Sequence, residues 1–280
     1  MGTRFGISSH LFHGQRLGRA HIAAIAAHGF EVLELFATRT HVDYRDPAAL
    51  RQLGDWLAGA GVALHAVHAP TTRSFTNGMW GETLSVAAVD EAQRRAAVDE
   101  TRAALALAQV VPFDVLVLHL GVPSADPAAN SRAAVARSLE EIGEATAGAG
   151  VRLALELIPN GLSSADRLVR WIEDDLDLPG VGICLDVGHA HLGGDAMEAI
   201  EACSGHIVTT HLHDNRGRRD DHLVPGQGTV DWDGVMMAFQ KVGYDGAWIF
   251  ELAPAAEPEV ILAEAARARA RLTRLLVGET

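Results

Sequence analysis

The sequence predicts an α/β chain closed into a single (β/α)8 barrel. Three observations predict it. Short apolar runs alternate strictly with longer amphipathic segments, which implies parallel strands joined by crossover helices. Eight such pairs fit in about 250 residues, a closed barrel's spacing rather than an open sheet's. No glycine-rich phosphate fingerprint follows the first run, where Gly6-Ile-Ser-Ser-His10 lacks the dinucleotide-binding spacing.

The expected strands are Arg4–Ser8, Val32–Phe36, Val62–His68, Val115–Leu120, Val151–Leu157, Val181–Asp186, His206–Leu212 and Ala247–Leu252. Each is short, rich in Val, Ile or Leu, and bounded by polar residues, Gly or Pro, as strands buried on both faces are. The expected helices lie between them. Arg16–His28 stops at Gly29. Pro47–Ala60 opens on Asp46-Pro47, a cap followed by proline in the first turn, and stops before Gly61. Val89–Val110 is long, and Pro127–Ala147 again opens on Asp-Pro. Ser164–Ile172, Ala196–Cys203, Trp232–Val242 and Pro258–Leu276 complete the set. No repeat, linker or composition break divides the chain, so residues 1–280 are expected as one domain. The segment 69–88 shows no clear element. A loop of that length after the third strand is expected as a lid on the catalytic face.

Composition narrows the function. The 280 residues carry 23 Lys+Arg against 36 Asp+Glu, a net charge of −13. That balance disfavours a broadly basic nucleic-acid binder. An apolar fraction of 48% excludes intrinsic disorder, and two cysteines, Cys184 and Cys203, exclude a disulfide scaffold. No leader pattern opens the sequence and no apolar run reaches about 18 residues, so a cytoplasmic protein without a membrane span is expected. The unusual count is 14 histidines.

Their positions matter more than their number. Barrel active sites lie at the C-terminal ends of the strands. The third strand ends in His68, the fourth in His119, the fifth in Glu156 and the sixth in Asp186, with His189 just beyond. The seventh ends in His211-Leu-His213 and the eighth in Glu251. Period-two parity puts Glu156 with Ala154, Asp186 with Cys184 and Glu251 with Ile249 on one inner face, with large residues outside. His65 has the wrong parity to join His68 and is expected on a helix-facing or surface position. The clustered donors predict a divalent-metal site, and a His, Asp and Glu set suits Mn, Zn, Co, Fe or Mg. After the seventh strand, Asp220 and His222 share one side of an extended segment. Gly226 and Gly228 are expected to let the backbone pass close to a ligand. Arg216, Arg218 and Arg219 read either as a phosphate or carboxylate clamp or as a solvated charge cluster. Glu34 reads either as a substrate contact or as a structural ion pair.

With these residues in view, the chain resembles the xylose isomerase-like TIM barrel superfamily, in the branch that unites sugar isomerases and epimerases with endonuclease IV. Gly29-Phe-Glu-Val-Leu-Glu34, Leu118-His119-Leu-Gly121, Leu185-Asp186-Val-Gly-His189, His211-Leu-His-Asp-Asn215 and Phe250-Glu251 carry the resemblance. It implies one metal held by Glu156, Asp186, His211 and Glu251. It also implies substrate contact by His189, with Glu34, His213 and the three loop arginines as further candidates. The endonuclease branch adds His68, His119, His189, Asp220 and His222, room for up to three metals. The Glu-x-Lys of classical xylose isomerase is absent, since Glu156 is followed by Leu157-Ile158.

The resemblance therefore implies a sugar or sugar-phosphate isomerase or epimerase, with Glu156, Glu251 and His189 as catalytic residues. An endonuclease IV-like multinuclear phosphoesterase is the alternative, and a non-catalytic small-molecule-binding barrel is the third reading. A sugar-type substrate is the expected partner. Homo-oligomers are a family expectation.

Overall fold

A computed structural model describes residues 4–278. The strands are β1 (Phe5–Ser8), β2 (Val32–Phe36), β3 (Ala63–His68), β4 (Phe75–Thr76), β5 (Met79–Trp80), β6 (Val115–His119), β7 (Arg152–Glu156), β8 (Gly182–Asp186), β9 (Ile207–Leu212) and β10 (Ala247–Phe250). The helices are α1 (Arg19–Ala27), α2 (Pro47–Ala60), α3 (Glu91–Leu105), α4 (Arg132–Ala149), α5 (Ala165–Arg170), α6 (Val187–Gly193), α7 (Ala196–Ala202), α8 (Trp232–Lys241) and α9 (Pro258–Leu276). Eight strands close a parallel barrel in the order β1-β10-β9-β8-β7-β6-β3-β2, and β4 and β5 form a separate hairpin. No helix among the described residues is long and apolar enough to cross a membrane.

Two layers of core follow from strand parity. The outward layer, between strands and helices, holds large residues such as Leu33, Leu155, Leu185, Trp248 and Phe250. The barrel interior is small: Ala66, Val115, Val117, Ala154 and Cys184 on one side, Val32, Ala247 and Ile249 on the other. Small residues there leave room above them for the polar side chains of the strand ends. Cys184 and Cys203 are both buried free thiols.

Local chemistry sets the helix ends. Asp46 caps α2, its Oδ1 accepting the Ala48 N–H at 2.8 Å, and Gly61 ends it at φ 69°. The second Asp-Pro behaves differently from expectation. Asp126-Pro127 starts only a 3-10 turn, and α4 begins at Arg132, capped by Ser131. Asn130 between them is extended because its side chain pairs with both backbone groups of Val122, at 2.8 and 2.9 Å. The helix α6 was not expected. It springs from the end of β8, with Asp186 as its cap accepting the His189 N–H at 2.7 Å.

Two expectations in the strands and loops need correction. His65 is neither helix-facing nor on the surface. The pairing of β2 with β3 shifts register between Leu33 and Glu34, which pair with Leu64 and Ala66. His65 is thus an extra residue in a bulge, where period-two parity fails. Its buried ring crosses the barrel floor, with Nε2 3.4 Å from Thr209 Oγ1 on β9. The segment 69–88 is not structureless: it carries β4 and β5, joined by Asn77-Gly78 with φ of 53° and 75°. Paired positive φ values are what a two-residue hairpin turn requires.

Beneath the barrel mouth, His41 is fully buried, with Nδ1 2.6 Å from the Gln15 carbonyl and Nε2 3.1 Å from Ser9 Oγ. Burial pushes its imidazole down to about 4 from 6.5. A histidine held below its ordinary value supports the fold fully above pH 6.5 and loses that contribution as pH falls towards 4. The expected loss is roughly 3 kcal/mol across that window. Urea unfolding at successive pH values measures it, and His41→Gln should flatten that part of the profile.

Candidate metal centre

Strand register builds the site. Neighbouring strands pair His119 with Glu156, and Asp186 with His211, at the same height. His211 pairs with Ile249, so Glu251 emerges two residues further up its neighbour. The result is a shallow bowl of donors at the C-terminal mouth.

His211 is at its centre. Its Nδ1 lies 3.1 Å from Glu156 Oε1, 3.4 Å from Glu251 Oε2 and 3.6 Å from Asp186 Oδ2. Its Nε2 lies 3.0 Å from Glu34 Oε2. If Nε2–H donates to Glu34, the Nδ1 lone pair faces the three carboxylates. That is how a second carboxylate fixes the tautomer of a metal-binding histidine. One donor atom from each of Glu156, Asp186, His211 and Glu251 lies within 4.8 Å of the others.

Two further donor sets flank this one. Glu156 Oε2 is 3.0 Å from His68 Nε2 and 2.9 Å from His119 Nε2. Asp220 Oδ2 is 3.0 Å from both His189 Nε2 and His222 Nε2, and His213 completes that group. Glu156 therefore belongs to two sets.

The electrostatics show what the cluster requires. Burial alone would raise the Glu156 carboxyl, but the imidazoles of His119 and His211 outweigh it and hold it well below the carboxylate range. Asp186 is held low in the same way by His189 and His213. The partners respond in kind. Burial would lower His189, yet Asp186 and Asp220 lift it to about 10, and Glu156 lifts His68 to about 9. Protonated imidazoles thus balance the buried carboxylates. A divalent cation offers the same compensation in one ion.

The structure sorts the remaining candidates. A cavity of about 500 Å³ opens above the donors, lined among others by His68, His119, Glu156, His189, Asp220, His222 and Glu251. Glu34 is not on its wall. It is fully buried beneath His211, because its barrel-facing position on β2 lies two residues below the strand end. His213 is also covered: its Nε2 is 2.9 Å from Asp186 Oδ1, and its ring stacks on His222 at 3.9 Å. Arg216, Arg218 and Arg219 do not reach the cavity. Arg216 binds the Gln227 carbonyl, Arg219 is 86% exposed beside Asp221, and Arg218 is exposed. Gly226 and Gly228 serve the protein rather than a ligand. A Cβ at Gly228 would stand 2.2 Å from Asp214 Oδ1, and one at Gly226 2.5 Å from Arg271.

Sequence reasoning gave Asp214 no role. Its buried carboxylate accepts from the N–H groups of Asn215, Gly226 and Val230 and from Trp232 Nε1. These bonds pin both ends of the loop that carries Asp220 and His222. The available signal was an Asp directly after a strand. His10, directly after β1, lines the cavity, as its place after the first strand leads one to expect.

The model of the xylose isomerase-like TIM barrel matches residues 22–272. The chain belongs to this family. Among relatives of this xylose isomerase-like barrel, an uncharacterized protein of Methanocaldococcus jannaschii is 28% identical over 255 residues, covering 88% of this chain and 82% of the relative. D-psicose 3-epimerase of Enterocloster bolteae is 23% identical over 240 residues, 81% of this chain and 74% of that one. A solved D-tagatose 3-epimerase-like protein superposes with a TM-score of 0.81 at 26% identity, covering 99% of both chains.

Divalent Mn, Zn or Co added to chelator-treated protein should raise its thermal midpoint, by about 2.7 kcal/mol of stability at 100 times Kd. Glu156→Gln, shared by two donor sets, should remove most of that gain in a thermal-shift assay. Asp220→Asn should leave binding to the Glu156, Asp186, His211 and Glu251 set intact.

Proposed function

We propose that this protein is a divalent-metal-dependent isomerase or epimerase of a sugar-type substrate. The observation that carries the proposal is the placement of Glu156 and Glu251. They stand at the end of β7 and just past the end of β10, separated around the barrel by β8 and β9, and both line one small cavity. Two carboxylates approaching a bound molecule from different sides are what proton removal on one face and return on the other requires. Relatives named as epimerases support the reading.

The donors fit a cation. Three carboxylates and an imidazole, all buried and within reach of one another, are an oxygen-rich set for Mn, Zn, Co, Fe or Mg. When bound, such an ion stabilises the negative charge that develops on the substrate's oxygens as a neighbouring carbon loses its proton. The chain's own residues do the rest. One of Glu156 and Glu251 takes the proton from carbon, and the other delivers one to the opposite face. His189 lines the cavity and contacts the substrate there, its ring held by Asp220 at Nε2 and by the Leu157 carbonyl at Nδ1. Glu34 keeps the His211 ring oriented. Asp214 holds the loop that brings Asp220 and His222 over the mouth.

A second reading has its own observation. The sets His68-His119-Glu156 and His189-His213-Asp220-His222 are complete beside the first. Several metals side by side would suit phosphate-ester hydrolysis by activating water and clamping the phosphate. The compact cavity favours the first reading, because it matches a small molecule rather than a duplex.

Solvent-deuterium exchange into a panel of ketoses and ketose phosphates tests the proposal. Exchange into at least one member is expected, and Glu251→Gln should lower its rate by 100-fold or more. No exchange with any member, combined with cleavage of abasic DNA by protein holding three ions per chain, would transfer the assignment to the phosphoesterase reading.

A further inference from the structure

One part of the cavity wall, beside the candidate donors, is aromatic and hydroxylic. Phe36, at the end of β2, and Trp80, on β5, both line it, together with Thr71 and Thr83. No Arg or Lys lines this cavity among the described residues. Arg73, at the base of the hairpin, is engaged elsewhere, with Nε 2.6 Å from Glu82 Oε2 and Nη1 3.4 Å from Glu100 Oε1.

The hairpin is held in register with the donors. Trp80 stacks on His13 at 4.7 Å and 24°, and His13 stacks on His10 at 4.7 Å. His10 in turn lies 5.2 Å from His222, a member of the outer donor set. Phe75 packs edge-on to both Trp80 and His13, and its N–H is bound by Thr40 Oγ1 at 2.9 Å. An unbroken row of rings thus runs from the hairpin to the metal donors and fixes their spacing. Trp80 nevertheless remains 48% exposed, an indole with open surface on the wall of a polar-floored pocket.

On the isomerase reading, we propose that the substrate is a neutral, unphosphorylated sugar and that Trp80 determines this preference. The electron-rich face of an aromatic ring attracts the polarised C–H groups of a sugar ring or chain. The threonine hydroxyls suit its O–H groups. A terminal phosphate directed at this wall would lose its water without gaining a guanidinium or ammonium partner, which disfavours binding.

The test titrates metal-loaded protein with a panel of free ketohexoses and their 6-phosphates, following both tryptophan fluorescence and solvent-deuterium exchange. At least one free sugar should quench fluorescence and be exchanged with kcat/KM at least tenfold above its phosphate. Trp80→Ala should lose the quench and lower kcat/KM about tenfold, chiefly through KM, while Trp80→Phe should restore most of the KM. Tighter or equal handling of the phosphates would overturn the proposal, as would an unchanged KM in Trp80→Ala. If no sugar is exchanged, the isomerase reading fails by itself. The fluorescence arm still decides the wall: a quench by free sugars that Trp80→Ala abolishes supports it, and no quench by any free sugar overturns it.

Discussion

The carboxylates that meet around His211 are the constraint on which the upper half of the barrel depends. Glu34, Glu156 and Asp186 are fully buried and Glu251 nearly so. Like charges packed this closely repel and lose hydration, so each needs a compensating partner. The imidazoles of His68, His119, His189, His211 and His213 supply partners. The same geometry makes the cluster a candidate cation site. Much else follows from housing it. The barrel interior below is built of small residues, and α6 leaves its strand directly so that His189 turns back over the mouth. Gly188 belongs to the same logic, because a Cβ there would stand 2.0 Å from the His213 ring.

A second, purely structural carboxylate supports the first group. Asp214 accepts four hydrogen bonds and faces no metal donor set. It turns a long loop rich in glycine and arginine into a fixed arm. The arm's donors, Asp220 and His222, are thereby held against donors from strands far away in sequence. The arginines of the arm are exposed. The hairpin on the other rim is fixed differently, by stacked rings and by the Arg73–Glu82–Glu100 network. Between these two rims lies a pocket with an anionic floor and a partly aromatic wall.

Most of the fold was legible in the sequence because the signals were local. Apolar runs bounded by Gly, Pro and Asp marked the strands and caps, and period two separated inner from outer residues. Glu156, Asp186, His211 and Glu251 were legible as one group because each ends a strand of the same polarity. Where local rules met a competitor, they failed. The bulge at His65 reversed its parity. Asn130 diverted the start of α4. The hairpin was signalled by Asn77-Gly78, but its strands of two residues were too short to show alternation.

The sequence by itself determined the barrel, its polarity and the candidate donors, since these rest on periodicity and on residue type at strand ends. Only the tertiary structure decided what each donor faces. Whether Glu34 touches a ligand or steadies His211, and whether three arginines clamp or solvate, depends on contacts between residues as many as 177 positions apart. Such contacts are set by barrel closure and loop pinning, and no local pattern encodes them. The aromatic part of the cavity wall is of the same kind. It is a property of which side chains the closed barrel turns inward, and of those, such as Arg73, that it turns away.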